Sequence, residues 1–322
     1  MRHLLVLTLL VLPLLTVSPA ADAAPTCGGK RATMVFGDGD DYVFGTSGDD
    51  VVVLGAGDDT YQQSGGGHDL VCGGAGTDYI DVGVGRAEVW GGPGDDDFLD
   101  RDAPAGRRGA ADLFHGGPGH DRLAFTGPAI SLTVADGHEV GNERDAFTGV
   151  EGFMGTFGDD VFVGTSRADD YYDNGGSDEI TTGGGNDAVD IVRGRSVVHM
   201  GAGDDTVTVS FAYGAIHTGS GDDRIQVGAS NPEVVDGGPG TDTIGLWYDD
   251  EGATIDLAAA TVTNATVGAF PIAGIEDVDG SPGDDTIYGD DGPNRLFGSG
   301  GQDTVDGRGG NDVCDAEVMV SC

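Results

Sequence analysis

A chain of 322 residues with 61 glycines and only 12 prolines has too much glycine for long helices and too little proline for a collagen. Lysine and arginine number 15 against 56 aspartates and glutamates, a formal net charge of −41 that repels nucleic acid and anionic membrane surfaces. The counter-ion such a chain calls for is a cation, and its apolar residues, 38% of the total, stand in too strict a register for a disordered acidic tail.

Arg2 and His3 precede the apolar run Leu4 to Val17, and Ala21-Asp22-Ala23 offers a small-x-small cleavage site ahead of Ala24. Residues 1–23 are therefore expected to be a secretory signal peptide, since the run is shorter than the roughly 20 residues that span a bilayer. No later stretch is long and apolar enough to span, so the mature chain is expected to be secreted and extracellular. Export gives the four cysteines a meaning: Cys27, Cys72, Cys314 and Cys322 allow three pairings. Proximity in sequence favours Cys314 with Cys322, which leaves Cys27 with Cys72, each pair a clasp near one end. No Cys-x-x-Cys or close histidine pair suggests zinc.

Residues 24–124 read as an N-terminal cap and a first repeat block. Its rows include GTSGDDVVV from Gly45, GGAGTDYID from Gly73, GGPGDDDFL from Gly91 and GGPGHDRLA from Gly116. They share an aspartate at one place: Asp50, Asp59, Asp69, Asp78, Asp96 and Asp121. One residue is inserted before Asp69, and a loop from Asp100 to His115 precedes Asp121. That loop, with Arg101, Arg107 and Arg108, is the most basic patch of the chain and is expected to be a solvated excursion.

Residues 125–154 break the spacing, and a second block, 155–245, restores it. Here aspartates recur every nine positions or multiples of nine at Asp160, Asp169, Asp178, Asp187, Asp205 and Asp223, and after one extra residue at Asp242. Two residues after each stands an apolar side chain, from Phe162 to Ile244. A second insert, 246–279, leads to a third block with the C-terminal cap, 280–322, which holds Asp285, Asp303 and Asp312, with Asn294 substituting once. The two inserts resemble each other. Each contains an alternating strand-like run, Ile130 to Val134 or Ala253 to Leu257, and each re-enters the repeat through a similar phrase, Val150-Glu151-Gly152-Phe153 or Ile275-Glu276-Asp277-Val278. Block plus insert reads as an internal duplication.

The rows follow the nonapeptide G-G-x-G-x-D-x-U-x, and by them the chain resembles the secreted RTX, or haemolysin-type, calcium-binding repeat proteins over most of its mature length outside the inserts. The resemblance implies an all-β fold, a right-handed parallel β-roll with two nonapeptides to each coil, and several calcium ions held in the turns. The metal ligands it implies are the aspartates named above, three blocks together.

Each part of the motif has a reason. Glycine at the first, second and fourth places lets the turn take positive φ and present carbonyl oxygens. The sixth-place aspartate adds a hard carboxylate oxygen of the kind calcium accepts in numbers. The x-U-x tail is a short strand with one inward apolar side chain. Rows without the aspartate still put Val89, Val198, Ile216, Val234 and Leu296 at the inward place, so the roll is expected to continue through them. With eighteen residues to a coil, rows two apart stack on one side. One side carries Asp169, Asp187, Asp205 and Asp223 without a gap, whereas the other carries Asp160 and Asp178 and then Ser196, Gly214 and Pro232. Stacked carboxylates repel without a cation, so calcium is expected to drive folding, at the roughly millimolar concentrations found outside cells.

Catalytic signatures are missing from the sequence. There is no His-Glu-x-x-His and no Gly-x-Ser-x-Gly, and Gly-x-Gly pairs such as Gly55 and Gly57 belong to the repeat. The chain is accordingly expected to be a non-catalytic structural or surface protein. Two alternatives remain: a calcium-dependent adhesin that contacts a glycan, cell wall or protein through its inserts, the Arg101 to Arg108 loop or Trp247-Tyr248, and a polysaccharide lyase or epimerase acting on a face of the roll.

Overall fold

The computed structural model describes residues 24–101, 111–127, 129–134, 138–139, 145–247 and 251–322. Residues 1–23, expected to be the signal peptide, Arg107 with Arg108, and Tyr248 lie outside the described residues. Among the described residues the regular structure is β, in short strands separated by glycine-rich turns. A row has room for little else: its glycines fix a turn, and the four or so residues after the aspartate alternate inward and outward.

The strands stack in two long sheets. The first is parallel throughout and has 14 strands, from Tyr42–Phe44 at one end to Val313–Asp315 at the other. The second runs from Met34–Val35 to Val318–Val320. Successive rows alternate between the sheets, so that residues one coil apart are partners: Val207 pairs with Ile225 in the first sheet and Val198 with Ile216 in the second. A β-solenoid follows, as the eighteen-residue arithmetic requires.

Inward side chains form one continuous core. Ile80, Val189, Val207, Ile225 and Val278 come from the first sheet, and Val52, Ile180, Val198, Ile287 and Val305 from the second. Burial of each such side chain contributes about 1.5–3 kcal/mol. Near the first insert the core turns aromatic, with Phe153, Phe162 and Tyr171 packed ring to ring at 5.8 and 4.5 Å. Val89, Val198, Ile216 and Leu296 are buried as their spacing predicts, but Val235, not Val234, takes the inward place. The turn around Asn231 and Pro232 holds one more residue than its neighbours, so Val235 pairs with Ile216 and the pleat rotates Val234 outward.

Both segments that break the nine-residue spacing make the same excursion. In the first, Leu113–His115 pairs in parallel with Ala146–Thr148, which is antiparallel to His138–Glu139, which is antiparallel to Ser131–Thr133, which again pairs in parallel with Val161–Val163. In the second, Val234–Asp236, Gly268–Ala273, Thr261–Asn264, Ala253–Asp256 and Thr286–Tyr288 are joined in the same order and senses. The excursions stay within the second sheet, and the first sheet passes them without a break.

The disulfides are Cys27–Cys72 and Cys314–Cys322. The first ties the antiparallel hairpin Thr26–Cys27 with Lys30–Arg31 to the strand His68–Ala75. The second closes the last turn of the chain.

Candidate metal centre

Each repeat aspartate stands where a turn enters a strand, and together they form two columns along the solenoid. Asp59, Asp78, Asp96, Asp121, Asp169, Asp187, Asp205, Asp223, Asp242 and Asp312 lead into strands of the first sheet, while Asp50, Asp69, Asp160, Asp178, Asp285 and Asp303 lead into the second. All are buried except Asp312, near the C-terminal end.

The columns are built by one repeated hydrogen bond. The backbone N–H of Asp59 donates to Asp78 Oδ1 at 2.9 Å, that of Asp78 to Asp96 at 2.9 Å, and that of Asp96 to Asp121 at 2.9 Å. Further along, Asp187 donates to Asp205 at 2.8 Å, Asp205 to Asp223 at 2.9 Å and Asp223 to Asp242 at 2.9 Å. The fifth-place residue makes a second ladder in the opposite sense: Asp58 Oδ1 accepts from Thr77 N–H and Asp204 Oδ1 from Asp222 N–H. The Asp-Asp pairs thus cross-link each turn to both neighbours.

One carboxylate oxygen is left over, and its environment divides the sites. Among the described residues, Oδ2 of Asp59, Asp78, Asp96, Asp121, Asp187, Asp205, Asp223 and Asp242 is buried without a hydrogen-bond partner. All eight belong to the first sheet's column. In five of the six repeat aspartates of the second column, Asp303 being the sixth, the same atom is occupied: Thr46 N–H donates to Asp50 Oδ2 at 2.7 Å, Thr156 N–H to Asp160 at 2.7 Å, and Ser281 N–H to Asp285 at 2.6 Å. The hydroxyls of the same three residues bond the same carboxylates. Gln63 Nε2 donates to Asp69, and Ser196 Oγ reaches Asp178 Oδ2 at 3.1 Å and Asp173 Oδ2 at 2.9 Å. Asp169 is the capped member of the first column, held by Thr165 N–H at 2.6 Å and by the Thr165 hydroxyl.

The local sequence explains the division. In the rows of Asp50, Asp160, Asp169 and Asp285 the cap is a threonine or serine at the second place, whose hydroxyl and N–H turn back on the aspartate four residues on. Rows with an open oxygen have glycine there, at positive φ: 128° in Gly74, 117° in Gly92, 106° in Gly201 and 110° in Gly219. Neighbouring turns approach so closely that a Cβ on Gly92, Gly201 or Gly219 would land on the carbonyl oxygen of the matching glycine one coil back. At the first place, a Cβ on Gly73 or Gly116 would fall between the open Oδ2 of Asp78 or Asp121 and the carbonyl oxygen of Gly91 or Gly149. The missing side chain leaves a small space faced by a carboxylate oxygen and a backbone carbonyl.

Burial disfavours the charge on these groups. Desolvation, with like charges one coil away, pushes Asp96 and Asp205 up to about 7 and Asp78 and Asp242 up to about 6 from 3.8, although each accepts a backbone N–H that pulls the other way. An unpartnered buried carboxylate is costly, and a column of them needs either protons or cations. Hard oxygens in a flexible, glycine-lined turn suit calcium, which takes carboxylate and carbonyl oxygens together.

The acidic column is longer than the repeat spacing suggests. Asp121 N–H donates to Glu151 Oε2 at 3.1 Å and Asp242 N–H to Glu276 Oε2 at 2.9 Å, so glutamates carry the first column past both inserts. In the second column Asp112 and Asp145 stand where the loop and first insert hide the repeat; Asp112 accepts from Ala87 N–H at 2.7 Å and its own N–H donates to Asp145 at 2.6 Å. With Asp100 they bring three buried carboxylates within 4.8 Å of one another. The available signal is an acid two residues before an inward apolar side chain, as in Asp112 with Phe114, Asp145 with Phe147, Glu151 with Phe153 and Glu276 with Val278.

The family model of the RTX calcium-binding nonapeptide repeat (4 copies) matches residues 37–61, 63–89, 163–190, 215–244 and 279–314. No curated protein matches the chain.

Proposed function

Because the chain is built on RTX calcium-binding nonapeptide repeats, we propose that it is an exported, non-catalytic structural or surface protein whose solenoid winds up when calcium reaches its turns. The observation that carries this reading is the column of eight buried Oδ2 atoms without a partner. Asp59, Asp78, Asp96, Asp121, Asp187, Asp205, Asp223 and Asp242 would hold the ions, with the first-place carbonyls as further oxygens. Calcium supplies the positive charge that lets adjacent coils close on one another. This chain's own residues supply the geometry: glycines that permit the approach, and backbone N–H groups that orient Oδ1 and leave Oδ2 open.

Sites of this kind exist only in the wound chain, so metal binding and folding are one event. At a net charge of −41 the metal-free chain is expected to be expanded, which suits export in an unfolded form. Two disulfides agree with an oxidising, extracellular destination. The test is a far-ultraviolet dichroism titration paired with calorimetric calcium counting. Growth of the β signal with calcium, saturating near millimolar concentration, is expected; the same β signal in chelator would end this reading.

A further inference from the structure

Beside the first insert the outer face of the first sheet carries a groove of about 760 Å³ that the calcium ladders do not explain. It crosses six successive strands, from Tyr79–Gly83 to Ala188–Ile191, and the strand register lays two rows of outward side chains along it. In the first row Arg122 forks onto Asp97, with Nε to Oδ1 at 2.7 Å and a terminal nitrogen to Oδ2 at 2.9 Å, and His120 Nε2 meets Asp170 Oδ2 at 2.7 Å. Gly152 separates these pairs; a Cβ there would strike the Arg122 stem at 2.7 Å. The second row is mainly apolar, with short Ala124 beside Met154. Tyr79 and Tyr172 stand four strands apart and are 39% and 37% exposed.

We propose that this groove binds a neutral oligosaccharide chain. Its shape is that of a trough parallel to the solenoid axis, roughly 19 Å between the two tyrosines at about 4.8 Å per strand, with a polar row and a mainly apolar row running side by side along it. That suits a polymer of like units. The tyrosine faces and the apolar row can cover the carbon faces of sugar rings, while the planar Arg122–Asp97 and His120–Asp170 pairs present donors and acceptors to adjacent hydroxyls.

Charge and backbone chemistry narrow the class. Asp97, Asp170 and the exposed Asp190 line the trough on a chain of net charge −41, which disfavours an anionic glycan or a nucleic acid. An extended peptide would need a sheet edge for its own N–H and C=O groups. The trough lies on a sheet face, where the strands already bond neighbours on both sides.

Calorimetric titration of the calcium-loaded mature chain with cellohexaose, maltohexaose and N-acetylchitohexaose tests the proposal, with hexagalacturonate as the anionic comparison. At least one neutral oligomer is expected to bind, and Tyr79→Ala and Tyr172→Ala are each expected to weaken it about tenfold, equivalent to roughly 1.4 kcal/mol. Ala188→Trp, at an exposed outward position in the trough, is expected to block it. Dichroism in millimolar calcium reads the fold of each variant separately, so loss of binding with an unchanged fold belongs to the groove. The proposal is overturned if no neutral oligomer binds below about 10 mM, if hexagalacturonate binds as tightly, or if folded Tyr172→Ala and Ala188→Trp variants bind like the parent. A chain that fails these titrations but still folds with calcium refutes the groove and leaves the calcium reading standing.

Discussion

Asp169 and Asp205 stand in one column, two coils apart, and their Oδ2 atoms have opposite surroundings: the first is held by Thr165, the second has no partner. Asp205→Asn is therefore expected to lower calcium stoichiometry or affinity, because it removes charge from an open oxygen. Asp169→Asn should leave calcium binding close to the parent and cost about 1–3 kcal/mol of stability, since an amide nitrogen facing the Thr165 N–H loses the acceptor. Isothermal calorimetry together with thermal melting separates the two, and equal calcium loss in both variants would refute the distinction. The same oxygens set a pH dependence. Asp96 and Asp205 near 7, with Asp78 and Asp242 near 6, all lie above the unfolded value of 3.8. In the metal-free roll their contribution is complete below about pH 4 and is lost as pH rises through 6 to 7. In chelator the β signal, lacking at pH 8, is accordingly expected to grow as pH falls to 5 and protons take the place of cations on these carboxylates, and saturating calcium should remove that trend; a flat profile in chelator would count against the raised carboxylates.

At the scale of one turn, the glycines are unequal. Gly201 has φ of 106° and no room for a Cβ against Gly183, whereas a Cβ on Gly184, at the third place, would meet its nearest neighbour at 3.4 Å. The third place is accordingly the one where other rows carry Ala75, Pro93, Ala202 and Pro239. Gly201→Ala should cost about 1–3 kcal/mol and raise the calcium concentration needed for folding, while Gly184→Ala should be nearly neutral; dichroism midpoints against calcium check both. Single-sequence reading finds these turns readily, because glycine, aspartate and the inward residue keep fixed spacing. It does not find which aspartates are capped. That depends on a hydroxyl four residues earlier turning inward, and Thr46, Thr156 and Thr165 look like ordinary turn residues until the loop is closed.

For the whole molecule, a solenoid has neighbours only along its axis, so its ends are its weak points. The Cys27–Cys72 disulfide fastens the N-terminal hairpin across the first coils of the second sheet. Replacing both cysteines by serine should cost about 2–4 kcal/mol, and limited proteolysis in calcium should then cut within the N-terminal coils before the centre. Cleavage starting in the central coils would contradict the axial picture. The inserts do not interrupt this continuity, since the first sheet runs past both and Glu151 and Glu276 carry its acidic column across.

The nine-residue spacing by itself determined the all-β solenoid, the two-sided stacking and the turn position of every repeat aspartate, because each row encodes its own turn, ligand oxygen and inward side chain locally. Only the tertiary structure decided which column keeps its carboxylate oxygens open, how the inserts fold back into the second sheet, and that Val235 replaces Val234 in the core. The first turns on whether a hydroxyl four residues before the aspartate folds back on it, and the other two on strand pairing a coil or more away in sequence, where one extra turn residue selects between arrangements that the row pattern allows equally.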